Sequence, residues 1–170
     1  MEPLAIVVMG VSGCGKSTVG EALAGELQVD FLDADDLHPA ANKEKMAGGT
    51  PLTDEDRWPW LAIVGAAMKA ETDGGRSIVV ACSALRRVYR DALRDAAAGP
   101  VFFVHLHGTK ELLASRLGAR KGHFMPTTLL DSQLATLEPL QDDEQGVVLD
   151  VVHTPKELTG AAVAALAGVR

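Results

Sequence analysis

Apolar residues fall into five short runs along the chain, separated by longer stretches patterned for helices. Residues 4–9 (LAIVVM), 29–32 (VDFL), 77–81 (SIVVA), 101–106 (VFFVHL) and 146–152 (GVVLDVV) are rich in branched and aromatic side chains. Runs of this length that stop at turn residues predict strands of a parallel sheet, the first and third of them buried. Val19, Ala22, Leu23 and Leu27 recur at helical spacing, as do Trp60, Leu61, Val64 and Met68, and again Leu129, Leu130, Leu134 and Leu137. Thr53 with Asp56 three residues on predicts a capped helix start, with Pro59 in the first turn or at a kink. Thr109 predicts a second cap, for a helix reaching about residue 120, and residues 156–169 a closing helix. Strands that alternate with helices predict an α/β fold: a doubly wound, five-stranded parallel sheet flanked by helices. Residues 37–57 are too polar and broken for a plain crossover and predict an inserted substrate-binding segment. Residues 141–145 (QDDEQ) predict a solvated loop.

The first run ends in residues 10–17 (GVSGCGKS), which match G-x-x-x-x-G-K-[ST] at every fixed position, between a predicted strand and a predicted helix. Gly10, Gly13 and Gly15 let the backbone curl so that N–H groups turn inward toward phosphate oxygens, and the following helix adds the positive end of its dipole. Lys16 reaches the outer phosphates, and the Ser17 hydroxyl is a ligand for Mg²⁺. This is the phosphate-binding loop of a P-loop NTPase, with Ser12, Cys14 and Thr18 as further backbone contacts. The second run ends in Asp33-Ala34-Asp35-Asp36, and ligands of open α/β sheets bind off the carboxyl ends of strands. Continued strand alternation would put Asp33 and Asp35 on one side, next to the loop. His38 and Arg57 are the polar contacts expected from the inserted segment. Arg86, Arg87 and Arg90 follow the third run, where arginines are suited to hold a carboxylate.

The chain has 170 residues and a formal charge of −7, which fits one domain and argues against an extended nucleic-acid surface. An acidic nucleotide binder must concentrate its cations, and Arg116, Arg120, Lys121 and His123 cluster beside a Gly and a Pro. They predict a cationic mobile lid over residues 116–126 that closes on ATP. The two cysteines, Cys14 and Cys82, have no metal-ligand spacing and predict reduced thiols rather than a disulfide. The apolar start gives way to Ser, Gly, Cys and Gly after Val11, so neither a signal peptide nor a membrane span is expected.

Taken together, the loop, the blocks FLDADDLHP (31–39), Asn42, Lys45-Met46, Gly49, Pro51-Leu52, Asp54, Asp56-Arg57, Trp60-Leu61, CSAL (82–85) and RLGARKGHF (116–124) resemble the gluconokinases of the P-loop kinase type, relatives of shikimate kinase. The blocks span most of the chain in family order. The resemblance implies one kinase domain over residues 1–170, with strands in nucleoside-monophosphate-kinase order. It implies ATP- and Mg²⁺-dependent phosphorylation of D-gluconate to 6-phosphogluconate by direct in-line transfer, in a cytoplasmic homodimer without nucleic-acid or membrane partners. By the same resemblance Asp35 contacts the sugar hydroxyls as the base and Asp33 supports the metal from behind Ser17. Arg116 and Arg120 meet phosphates, Thr154 and Pro155 line the adenine site, and Lys45 and His123 join the substrate set. Family members often carry Lys at positions 86 and 87, so the carboxylate contact stays open between Arg86 or Arg87 and Arg57 or His38. The other readings are a shikimate- or nucleotide-type kinase, and a nucleotide switch. A guanine-specific switch would have Asn-Lys-x-Asp after the fourth strand, where this chain has Gly108-Thr109-Lys110-Glu111.

Overall fold

The computed structural model describes residues 2–11, 13–119 and 127–168. Five strands form one sheet: β1 (Ala5–Met9), β2 (Asp30–Asp33), β3 (Ile78–Ala81), β4 (Val101–His107) and β5 (Gly146–Asp150). Their order is β2-β3-β1-β4-β5 and every pairing is parallel, as the resemblance implied. The helices are α1 (Lys16–Leu27), α2 (Ala40–Ala47), α3 (Asp54–Asp73), α4 (Arg87–Ala97), α5 (Lys110–Ala119), α6 (Thr127–Thr136) and α7 (Pro155–Ala167).

Why β1 reads as an unbroken apolar run is visible in its packing. It lies between β3 and β4, and all of its residues are buried. Ile6 and Val8 face the layer that holds Val19 and Leu23 of α1 and Leu158 and Ala162 of α7. Ala5, Val7 and Met9 face Leu61, Val64 and Met68 of α3 and Leu93 of α4. A strand covered on both faces has no polar side to alternate with. The α3–α4 contact is close enough that a Cβ at Gly65 would lie 2.3 Å from Cβ of Ala96.

The structure departs from the sequence expectations at three places. Strand geometry stops at Asp33: residues Ala34–Leu37 form a 3-10 helix, so alternation does not position Asp35. The Asp33 carboxylate instead caps that helix, accepting from the Asp35 N–H at 3.0 Å. Helix α3 carries Pro59 in its second turn rather than its first. The proline leaves the Glu55 carbonyl without a helical donor, and Glu55 is exposed, so water can serve it. Lastly, residues 141–145 are not uniformly solvated. Glu144 is buried and pairs with fully buried Arg90 at 2.7 Å, and also with Arg94. The Thr53–Asp56 capping box is present as predicted, and both cysteines are free and buried.

Candidate active site

The loop after β1 is anchored from below and open above. Gly10 donates its N–H to the Ser83 carbonyl beyond β3 at 3.3 Å. Its φ of 150° and the nearness of Cys14 Sγ, 2.7 Å from where a Cβ would sit, leave room only for glycine. Gly13 and Gly15 hold φ of 86° and 90°, the left-handed turns that fold successive N–H groups toward one point. No side chain caps α1, so its first N–H groups stay available to an anion. Lys16 Nζ donates to the Val11 carbonyl at 3.3 Å, which folds it over the loop.

Above the carboxyl edge of the sheet lies an open cleft of about 1100 Å³. One end is lined by residues 13–18, Arg116 and Thr154-Pro155. Arg116 donates to the Val151 carbonyl, and Thr154 caps α7 by accepting from the Glu157 N–H. The other end is lined by Asp35, His38, Leu52, Arg57 and Trp60. Asp33 joins the two, because its Oδ2 accepts from Ser17 Oγ at 3.1 Å. The Ser17–Asp33 hydrogen bond ties an acid to the phosphate loop. Among the described residues no group of three or more His, Cys, Asp or Glu is arranged to hold a metal. The Ser17–Asp33 pair sets one hydroxyl and one carboxylate beside the phosphate loop.

Electrostatics separate the groups at the far end. The Asp35 carboxyl is pushed above its ordinary range, first by the surrounding protein, which thins its hydration, and then by the neighbouring charge of Asp33. Its tip is still open to water, with 81 % of the side chain exposed. His38 is driven the other way, toward neutrality, chiefly by burial. Its ring stacks on Trp60 with centroids 4.0 Å apart, and the indole N–H donates to the Ala34 carbonyl at 2.7 Å. Arg57 Nη1 donates to the Tyr89 hydroxyl at 3.1 Å, and that hydroxyl donates to Asp54.

The chain is similar to known proteins over most of its length. An AAA-domain family model matches residues 6–140. A gluconokinase of Gluconobacter oxydans (strain 621H) is 51 % identical over 144 residues, covering 85 % of this chain and 80 % of that protein. The thermoresistant gluconokinase of Escherichia coli (strain K12) is 45 % identical over 151 residues, covering 89 % and 86 %. The crystal structure of a gluconokinase from Sinorhizobium meliloti 1021 superposes with a TM-score of 0.88 at 49 % identity, covering 97 % of this chain and 92 % of that one. The chain belongs to the gluconokinase family. As a gluconokinase-family kinase, it gathers most of the sequence-predicted residues around one cleft. Gly13, Cys14, Gly15, Lys16, Ser17, Thr18, Asp33, Asp35, His38, Arg57, Arg116, Thr154 and Pro155 all line it.

Other expected residues are held elsewhere. Lys45 is bound to Asp56 at 2.7 Å, and Arg86 to Asp54 at 2.7 Å, so neither lines the cleft. Arg87 is occupied by Asp91 and Asp143, which hold its guanidinium well above the usual arginine range. Of the arginines considered for the carboxylate, Arg57 is the one that lines the cleft. Ser12, Arg120, Lys121 and His123, and with them most of the expected lid, lie outside the described residues. Sequence reasoning gave no role to Tyr89 or Asn42. Tyr89 steers Arg57 from another helix, with no local signal. Asn42 stands four residues after His38, a spacing that brings side chains together.

Proposed function

We propose that this chain transfers the γ-phosphoryl group of ATP in line to the C6 hydroxyl of D-gluconate, giving 6-phosphogluconate and ADP. The observation that carries the reading is one cleft whose lining joins a phosphate loop to Asp35, His38 and Arg57. Phosphoryl transfer needs little covalent help from the protein, so positioning and charge carry the catalysis. Lys16 neutralises charge on the outer phosphates, and Arg116 adds a second cation. Ser17, with Asp33 behind it, would hold Mg²⁺, which supplies further charge neutralisation on phosphate oxygens. Arg57 takes the carboxylate of the sugar acid: Tyr89 and Asp54 both hold it through Nη1, which fixes its reach within the cleft lining.

Asp35 orients the C6 hydroxyl toward the phosphorus and accepts its proton as the new O–P bond forms and the bond to ADP breaks. A carboxyl held above its ordinary range is a better base than one within it. The same reading covers one kinase domain, working as a homodimer in the cytoplasm. Among the described residues no helix is long and apolar enough to cross a membrane.

A coupled assay of ADP release over D-gluconate, other sugar acids, shikimate and nucleoside monophosphates tests the assignment. Gluconate should be turned over well above every other acceptor. Preference for shikimate or a nucleotide would overturn it.

A further inference from the structure

Asn42 is buried, with 4 % of its surface exposed, and its two neighbours determine what it does. Its Nδ2 donates to the Asp56 carbonyl at 2.9 Å and lies 3.2 Å from His38 Nδ1. A backbone carbonyl only accepts, so the amide nitrogen rather than the amide oxygen must face Asp56. The second hydrogen of the same nitrogen is then aimed at His38 Nδ1, which must offer a lone pair. The imidazole proton is thereby confined to Nε2.

We propose that Asn42 is a positioning residue that locks His38 in the neutral Nε2–H tautomer, so that this N–H is offered beside Asp35 to a hydroxyl of the sugar acid. His38 Nε2 stands 4.0 Å from Asp35 Oδ1, too far for a hydrogen bond and suited to one oxygen between them. A hydroxyl there accepts from His38 and donates to Asp35. The lock is itself held firmly. Asp56, whose carbonyl orients Asn42, is bound by Lys45 and by the Thr53 capping box. Trp60 fixes the plane of the imidazole. The charged groups acting on His38 are Asp35, which favours its protonation, and Arg57 and Lys43, which oppose it along with burial.

The hydroxyl's identity rests on the reading given under Proposed function; the tautomer does not, and the experiment separates them. Long-range ¹H–¹⁵N correlation spectra of the ligand-free full chain at neutral pH report the tautomer, with His38→Gln identifying the signals. The expected result is the Nε2–H form alone. An Nδ1–H form, or a mixture of tautomers, would overturn the lock. Asn42→Asp, which accepts but cannot donate at that position, should move the proton to Nδ1 or protonate both nitrogens. Asn42→Ala should give a mixture. Wild-type signals in a folded Asn42 variant would equally refute the proposal. Asn42→Ala should also raise KM for gluconate about two- to tenfold, the worth of one hydrogen bond, and leave KM for ATP unchanged. An equal change in both would mean that Asn42 merely supports the fold. Absence of gluconate turnover in the wild type would count against the functional reading alone, with the spectra still deciding the tautomer.

Discussion

Two aspartates two positions apart end with different neighbours. Asp33 is tied to Ser17 Oγ and to the backbone of Asp35, whereas Asp35 opens into the cleft opposite His38. Their substitutions should therefore differ. Asp35→Asn should lower kcat by on the order of a hundredfold or more, the usual contribution of a positioned base, with nucleotide affinity little changed. Asp33→Asn should weaken the response to Mg²⁺. It should also move the acid limb of the gluconate profile. In the proposed role of base Asp35 works ionised, so activity should fall as pH drops through its raised pKa; removing the Asp33 charge takes away one cause of that rise. At saturating Mg²⁺ the acid limb of Asp33→Asn should lie at lower pH than in the parent, and a limb that stays put would separate Asp35 from the profile. Lys16→Ala should reduce turnover on the order of a hundredfold or more in a folded protein, as loss of a charge stabiliser does. Circular dichroism alongside the assay checks that the fold survives.

At the scale of elements, the sequence was most legible where the signal is local. The glycine loop, the Thr53–Asp56 box and the all-apolar β1 each carry their cause within a few residues. It was least legible where a side chain's partner is distant. Glu144 sits among acids and glutamines that look solvated, yet Arg90, 54 positions earlier, draws it into the interior. The path of Asp35 was obscured because the 3-10 turn depends on the Asp33 cap and on Trp60 reaching the Ala34 carbonyl from α3. Burial pushes the Glu144 pKa up, but hydrogen bonds from Arg90, the Gln141 backbone and Arg94 more than reverse this and hold it at about 2. A depressed carboxylate contributes stability above its unfolded pKa and loses it as pH falls through its folded one. Glu144 should therefore contribute fully above about 4.5, its unassociated value, with loss between there and about 2. Glu144→Gln should cost about 3 kcal/mol at neutral pH, because it leaves buried Arg90 without its counter-charge. It should also flatten that acid decline. Urea titrations of both proteins across this range measure it, and equal stabilities would mean that the pair is no buried anchor.

For the whole molecule, strand order does the assembling. With β1 at the centre and β3 beside it, the loop after β1 and the acids after β2 meet above one edge of the sheet, where doubly wound folds bind ligands. Against an overall balance of −7, the cations Lys16, Arg57 and Arg116 line this cleft together, which suits it to anionic ligands. Residue types at strand ends made the phosphate end readable from the sequence. The acceptor side needed the fold, because Arg57 and Arg86 both pair with Asp54, at 3.6 and 2.7 Å, and only Arg57 of the two is seen to line the cleft. The central claim is that a phosphoryl group passes along this cleft to a sugar-acid hydroxyl. Following a reaction of ATP, Mg²⁺ and D-gluconate by ³¹P NMR tests it most directly. The account predicts one new phosphomonoester signal coupled to the two C6 protons, growing in step with ADP. ADP accompanied only by inorganic phosphate, or a phosphoester at any other carbon, would contradict it.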